Sequence, residues 1–202
     1  VSANCVDRHI AGANRNKAAL IFEGEMGDTR VLTYFDLYRE VNRCANVLKQ
    51  KGIRKGDRVA IYLPMIPELA IAVLACARIG AVHSVIFAGF SADAIRDRIQ
   101  DMDARCVITA DYGWRRGRAM ALKSTVDRSL EGLTQVATVL VVQRGGDTPE
   151  ETLPMQAGRD AFWDICMAEA EMHCPPEPMD SEDLLFLLYT SGTTGKPKGI
   201  MH

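Results

Sequence analysis

The chain has 202 residues, room for one large domain or two small ones. At 48% hydrophobic and 25% charged, it has the make-up of an ordinary globular protein. A net charge of −2 leaves no global basic field for nucleic acid or an anionic membrane, so any anion site must be local.

No apolar run reaches the roughly 18 residues that suggest a membrane span, and no basic start leads into a signal-like apolar stretch. The six cysteines form no Cys-x-x-Cys pair and lack zinc-like spacing to histidine. Cys44, Cys76, Cys106 and Cys166 lie in apolar periodic segments. They read as small buried hydrophobes of a reducing compartment, and the cytoplasm is the expected location, with a mitochondrial or nuclear pool allowed.

In chain order, Asn4 is placed to cap a short turn with Val6, Ile10 and Ala13 on one face. "AALIF" (18–22) and "RVLTY" (30–34) read as strands. Thr33 then resembles an N-cap, followed by Leu37, Val41, Cys44, Ala45 and Leu48 at helical spacing and by Gly52 as a stop. "RVAIYL" (58–63) reads as a buried strand, and Pro67 opens an almost wholly apolar helix that Gly80 ends. "AVHSVIF" (81–87) is the next strand, and Ser91 caps a helix carrying Ile95, Ile99 and Met102. "RCVITA" (105–110), a helix with Leu122, Val126 and Leu130, and "TVLVV" (138–142) follow. Residues 143–160 are polar, 162–172 suggest a short helix, and 174–183 hold three prolines.

Strands alternating with helices predict an α/β fold: a parallel βαβ sheet with helices on both faces and right-handed crossovers. The expected layout is a lead-in of helices and strands (1–57), a βαβ core (58–142), a linker region (143–183), and a strand with its loop (184–202). Ligands in such sheets bind beyond the carboxyl ends of strands, which singles out the loops after Leu63, Phe87 and Ala110.

Two stretches suit anions. "TSGTTGKPKG" (190–199) holds four hydroxyls, three glycines and two lysines. It fails the Walker pattern, because Pro197 follows Lys196 and a strand rather than a helix comes next. Its glycines can still turn backbone N–H groups toward a phosphate. Thr190, Ser191, Thr193 and Thr194 add hydroxyls, and Lys196 and Lys198 add charge. A ligand-free glycine-rich hairpin fits the composition equally well. "YGWRRGR" (112–118) sits just past the third core strand. Arg115, Arg116 and Arg118 could converge on a dianion, Gly113 and Gly117 allow tight turns, and a helix from Ala119 could add its N-terminus. The plain alternative is a solvated turn pairing with Asp101, Asp103 or Asp111. His83 reads as a satisfied core histidine.

"YTSGTTGKPKG" (189–199) resembles the signature loop of the adenylate-forming enzymes: acyl-CoA synthetases, luciferases and peptide-synthetase adenylation domains. "YLPMIPELAIAVLACARIGAVHSVIFAGFSADAIRDRI" (62–99), "VDRHIA" (6–11) and "ITADYGWRRGRAM" (108–120) narrow the likeness to the acetyl-CoA synthetase branch. It covers essentially the whole chain. The resemblance implies the first portion of a large N-terminal domain. The remaining pocket, the mobile C-terminal domain and its catalytic lysine would lie beyond His202.

It also implies a two-step reaction. Acetate attacks the α-phosphate of ATP carried with Mg²⁺, and pyrophosphate leaves. CoA then takes the acyl group, and AMP leaves. On this likeness Thr190, Ser191, Gly192, Thr193, Thr194, Gly195, Lys196 and Lys198 form the ATP phosphate loop. Arg115, Arg116, Gly117 and Arg118 hold the 3′-phosphate side of CoA, and Gly89 lines the pantetheine tunnel. Arg116, Trp114 and Ala88 depart from the family pattern, which has a small residue, a smaller apolar residue and a second glycine there. Propionate or acetoacetate remains open as the acid, and a non-enzymatic CoA- or nucleotide-binding module remains the reading from another class.

Overall fold

The computed structural model describes residues 1–145, 153–190 and 197–202. A short helix α1 (Ser2–Cys5) and a 3₁₀ turn (Asp7–His9) precede a hairpin of β1 (Ala18–Glu23) and β2 (Thr29–Thr33). Asn4 lies inside α1 and does not cap it, because the helix already starts at Ser2, with Val1 in the cap position. Helix α2 (Tyr34–Gln50) starts where Thr33 predicted. The Thr33 hydroxyl accepts the Asp36 N–H at 3.1 Å, and the Asp36 carboxylate accepts the Thr33 N–H at 3.1 Å. This reciprocal pair satisfies two donors that the first helical turn leaves open.

The core is a five-stranded parallel sheet in the order β4-β3-β5-β8-β9. Its strands are β3 (Arg58–Tyr62), β4 (Val82–Val85), β5 (Cys106–Ala110), β8 (Thr138–Val142) and β9 (Asp160–Phe162). Helices α3 (Pro67–Ile79), α4 (Ala92–Asp101), α5 (Leu122–Leu130) and α6 (Trp163–Glu169) make the crossovers and flanks. α3 and α6 pack with α2, and α4 packs with α5. Two groups of helices, one per face, are what right-handed crossovers running in opposite directions require. Ile61, Ile108 and Leu140 are fully buried in the three central strands, each contributing about 2 kcal/mol by leaving water.

The chain leaves β3 toward β4 on one side and leaves β5 toward β8 on the other. The strand order therefore reverses between β3 and β5, and a crevice opens at their carboxyl ends.

Three expectations change. The arginine-rich stretch is not a turn running into a helix at Ala119. It is an antiparallel hairpin of β6 (Tyr112–Arg115) and β7 (Arg118–Ala121), and α5 begins only at Leu122. Gly113 serves packing rather than turning: a Cβ there would stand 3.1 Å from Leu122 Cδ1. The 143–183 stretch supplies β9 to the main sheet, in addition to its short helix.

Near the end of the chain, β10 (Leu187–Thr190) pairs with β11 (Lys198–Met201) as a second hairpin. A bridge between His83 and Phe186 attaches it beside β4. Along the carboxyl edge, the β10–β11 hairpin, the loop after β4 and the arginine hairpin therefore follow one another.

Candidate functional site

The arginine hairpin turns through two residues, with φ of 52° at Arg116 and 71° at Gly117. Positive φ at both central positions matches the twist of a two-residue hairpin, and it suits Gly117 far better than Arg116. The register sets Arg115 directly opposite Arg118. Like charges facing each other across two strands repel, so the hairpin carries a modest destabilisation that an anion placed between them would relieve. Among the described residues none of the three arginines pairs with a carboxylate. Asp101 accepts from Tyr189, Asp103 pairs with Arg58, and Asp111 accepts the N–H groups of Tyr112 and Arg144. The expected alternative of a basic turn paired with these aspartates is not realised. One carboxylate does reach the turn: Glu25, from the loop between β1 and β2, accepts the Gly117 N–H. No sequence signal pointed to Glu25.

Arg115, Arg116, Arg118 and Met120 line an open hollow of about 620 Å³. A larger hollow, about 800 Å³, lies toward the amino end of β8. Its lining balances Asp127 and Glu131 against Arg128 and Arg159, and Arg159 is already paired with Asp127 and Asp160, so it offers an anion less free charge than the arginine hairpin does.

Gly89 stands in a turn closed by the Phe90 N–H donating to the Phe87 carbonyl at 3.0 Å. A Cβ on Gly89 would lie 2.6 Å from Arg115 Nη1 and 2.6 Å from Phe87 Cε1. The bare backbone is thus what lets Arg115 lie against this turn, its guanidinium carbon 5.0 Å from the centre of the Phe87 ring. The structure brings Gly89 and Arg115 together, although the sequence puts them in separate loops. From below, the Tyr62 hydroxyl reaches the carbonyls of Ala88 (3.0 Å) and Phe90 (3.2 Å). Burial pushes the Tyr62 phenol up, so it keeps the proton that it donates. Tyr62 was read only as the end of a buried strand.

Of the predicted phosphate loop, Thr190 ends β10 and Lys198 opens β11, directly opposite each other in register. Ser191, Gly192, Thr193, Thr194, Gly195 and Lys196 lie outside the described residues. His83 is buried as expected, but its Nδ1 has no partner among the described residues, and burial lowers its pKa to about 4. Cys44, Cys76, Cys106 and Cys174 are buried, Cys166 is half-buried and Cys5 is exposed. Burial raises the Cys44, Cys76 and Cys106 thiols, Cys106 to about 12, so these three stay protonated and inert. Among the described residues no group of three His, Cys, Asp or Glu could hold a metal ion, and no helix is long and apolar enough to cross a membrane.

Arginines without carboxylate partners among the described residues thus stand at the reversal point of a parallel sheet, where such sheets bind ligands, with the Gly89 turn between them and the stem of the hydroxyl-rich loop. The profile of the AMP-binding enzyme family matches residues 7–202. The chain belongs to the AMP-binding enzyme family. The acetyl-coenzyme A synthetase of Gemmatimonas aurantiaca is 57% identical to it over 203 residues, covering 100% of this chain and 31% of the relative. The proteins of the same name from Halorhodospira halophila and Streptomyces coelicolor are each 55% identical, again over 100% of this chain and over 31% and 30% of their own lengths. This member of the family thus spans about 31% of the length of the curated relatives it matches.

Proposed function

We propose that this chain forms part of an acetyl-CoA synthetase, supplying its coenzyme arginines and its ATP phosphate loop. The carrying observation is the Arg115–Arg118 pair, directly opposed on a hairpin at the switch point, with Arg115 lying against the Gly89 turn. The names of the relatives support acetate over propionate or acetoacetate. Because those relatives are bacterial, they support the cytoplasm and give no support to a mitochondrial or nuclear pool.

In the first step an acetate oxygen forms a bond to the α-phosphorus of ATP, and the bond to pyrophosphate breaks. Thr190, Ser191, Thr193 and Thr194 donate hydroxyls to the departing phosphates, and Lys196 and Lys198 offset their charge. Mg²⁺ arrives with the nucleotide. In the second step the coenzyme's sulfur attacks the acetyl carbonyl, and AMP leaves. Arg115 and Arg118 grip the 3′-phosphate, with Arg116 and Gly117 forming the turn between them. Gly89, by lacking a side chain, leaves room for Arg115 against the turn that the pantetheine arm passes. The other groups the chemistry needs belong to regions of the relatives that this chain does not cover.

The test is ATP–pyrophosphate exchange, without CoA, by an enzyme of the relatives' length that carries this chain. Exchange should be strongest with acetate. Strongest exchange with propionate or acetoacetate would reassign the acid. No exchange with any acid would leave the chain as a binding module.

A further inference from the structure

Arg98 is a buried charge at this edge that the reading above leaves without a role. It sits in the last turn of α4 with only 7% of its surface exposed, and among the described residues it has no carboxylate partner within salt-bridge distance. A buried cation normally needs a paired anion. Arg98 instead donates Nη1 to the Ala94 carbonyl at 2.6 Å, and its guanidinium carbon lies 4.5 Å from the centre of the Phe90 ring and 5.5 Å from that of Tyr189. Two aromatic faces take the place of the anion.

Tyr189 is held from three directions. Arg98 lies over its ring, and its hydroxyl donates to Asp101 at 2.7 Å. On the partner strand, Gly199 stands directly opposite, where a Cβ would approach the ring to 3.2 Å. Tyr189 immediately precedes Thr190, the first residue of the phosphate loop. Phe90, the other ring on Arg98, closes the Gly89 turn and meets Phe87 edge-on with ring centres 5.6 Å apart. Phe87 in turn lies under Arg115. The contacts run unbroken from the arginine hairpin to the stem of the loop. The small hollow beside Arg98 and Tyr189 is rimmed by Asp97 and Asp101, which disfavours a phosphate there. This arrangement supports other groups rather than binding a ligand.

We propose that Arg98 and Tyr189 are positioning residues: they clamp the stem of the phosphate loop to α4 and, through Phe90, to the Gly89 turn. The proposal rests on the reading of the loop as the ATP phosphate loop. Fixing Tyr189 fixes the point from which the phosphate loop departs, and with it the starting position of Thr190.

The experiment is acetate-dependent ATP–pyrophosphate exchange in the full-length enzyme with Arg98→Met, which keeps an unbranched apolar stem and removes the guanidinium, and with Tyr189→Phe, which keeps the ring and removes the bond to Asp101. The apparent KM for MgATP should rise about tenfold in Arg98→Met and a few-fold in Tyr189→Phe, with the KM for acetate unchanged. Arg98→Lys, which restores the charge, should recover part of the loss. A merely structural role would lower the active fraction and leave both KM values alone, so that outcome, checked by thermal melting, overturns the clamp. So does normal exchange in both variants. Absence of exchange in the unmodified enzyme overturns the loop reading itself, and the clamp with it.

Discussion

At the scale of single residues, an absent side chain matters as much as a charge. Gly89 was singled out for lining a passage, but its position shows a second constraint, because any Cβ there collides with both Arg115 and Phe87. Arg115 is flexible and exposed, so the collision should move the arginine rather than unfold the turn. Gly89→Ala is therefore expected to raise the KM for CoA about tenfold, as a misplaced charge-assisted contact does. Acetate-dependent exchange should stay within about twofold, and the melting temperature should hardly change. Steady-state kinetics of thioester formation beside exchange rates would check this. The sequence named Arg115, Arg118 and Gly89 through local composition and family likeness. It offered nothing to mark Glu25, Tyr62 or Arg98, because their roles depend on contacts between elements distant in the chain.

At the scale of elements, local chemistry was mostly legible. Thr33, Pro67, Gly80 and Ser91 stand at the helix ends they predicted, since caps and helix stops are decided within a few residues. The β6–β7 hairpin was not legible. Its turn is Arg116–Gly117, and the usual marker is an asparagine or aspartate before the glycine. Nor was the role of α3, read as an almost wholly apolar helix. Its Arg78 is 1% exposed and grips both oxygens of Asp7, at 2.7 and 2.8 Å, while its Nε donates to the Cys174 carbonyl. This one side chain ties the start of the chain and the proline-rich segment to the same helix. Asp7→Ala strands a buried guanidinium and is expected to cost about 3 kcal/mol, read as a lower urea midpoint. Replacing both partners, with Arg78→Met added, should recover much of that loss. Equal destabilisation by the single and double variants would show that the pair does not act as a clasp.

At the scale of the whole molecule, alternating strands and helices were enough to predict the parallel sheet, because each βαβ unit leaves a periodic trace in the sequence. Strand order left no such trace, and strand order is what positions the site. With β3 between β4 and β5, the arginine hairpin falls at the reversal point, and the phosphate-loop stem falls at the β4 edge with the Gly89 turn between them. On the proposed reading, the coenzyme step and the ATP step rest on different strands, joined through the Phe87–Phe90 contact. The most direct test is the double variant Arg115→Ala with Arg118→Ala in the full-length enzyme, assayed for acetate-dependent ATP–pyrophosphate exchange and for acetyl-CoA formation. The account predicts a KM for CoA raised about a hundredfold with exchange within about twofold of the unmodified enzyme. Equal loss of both activities would contradict it.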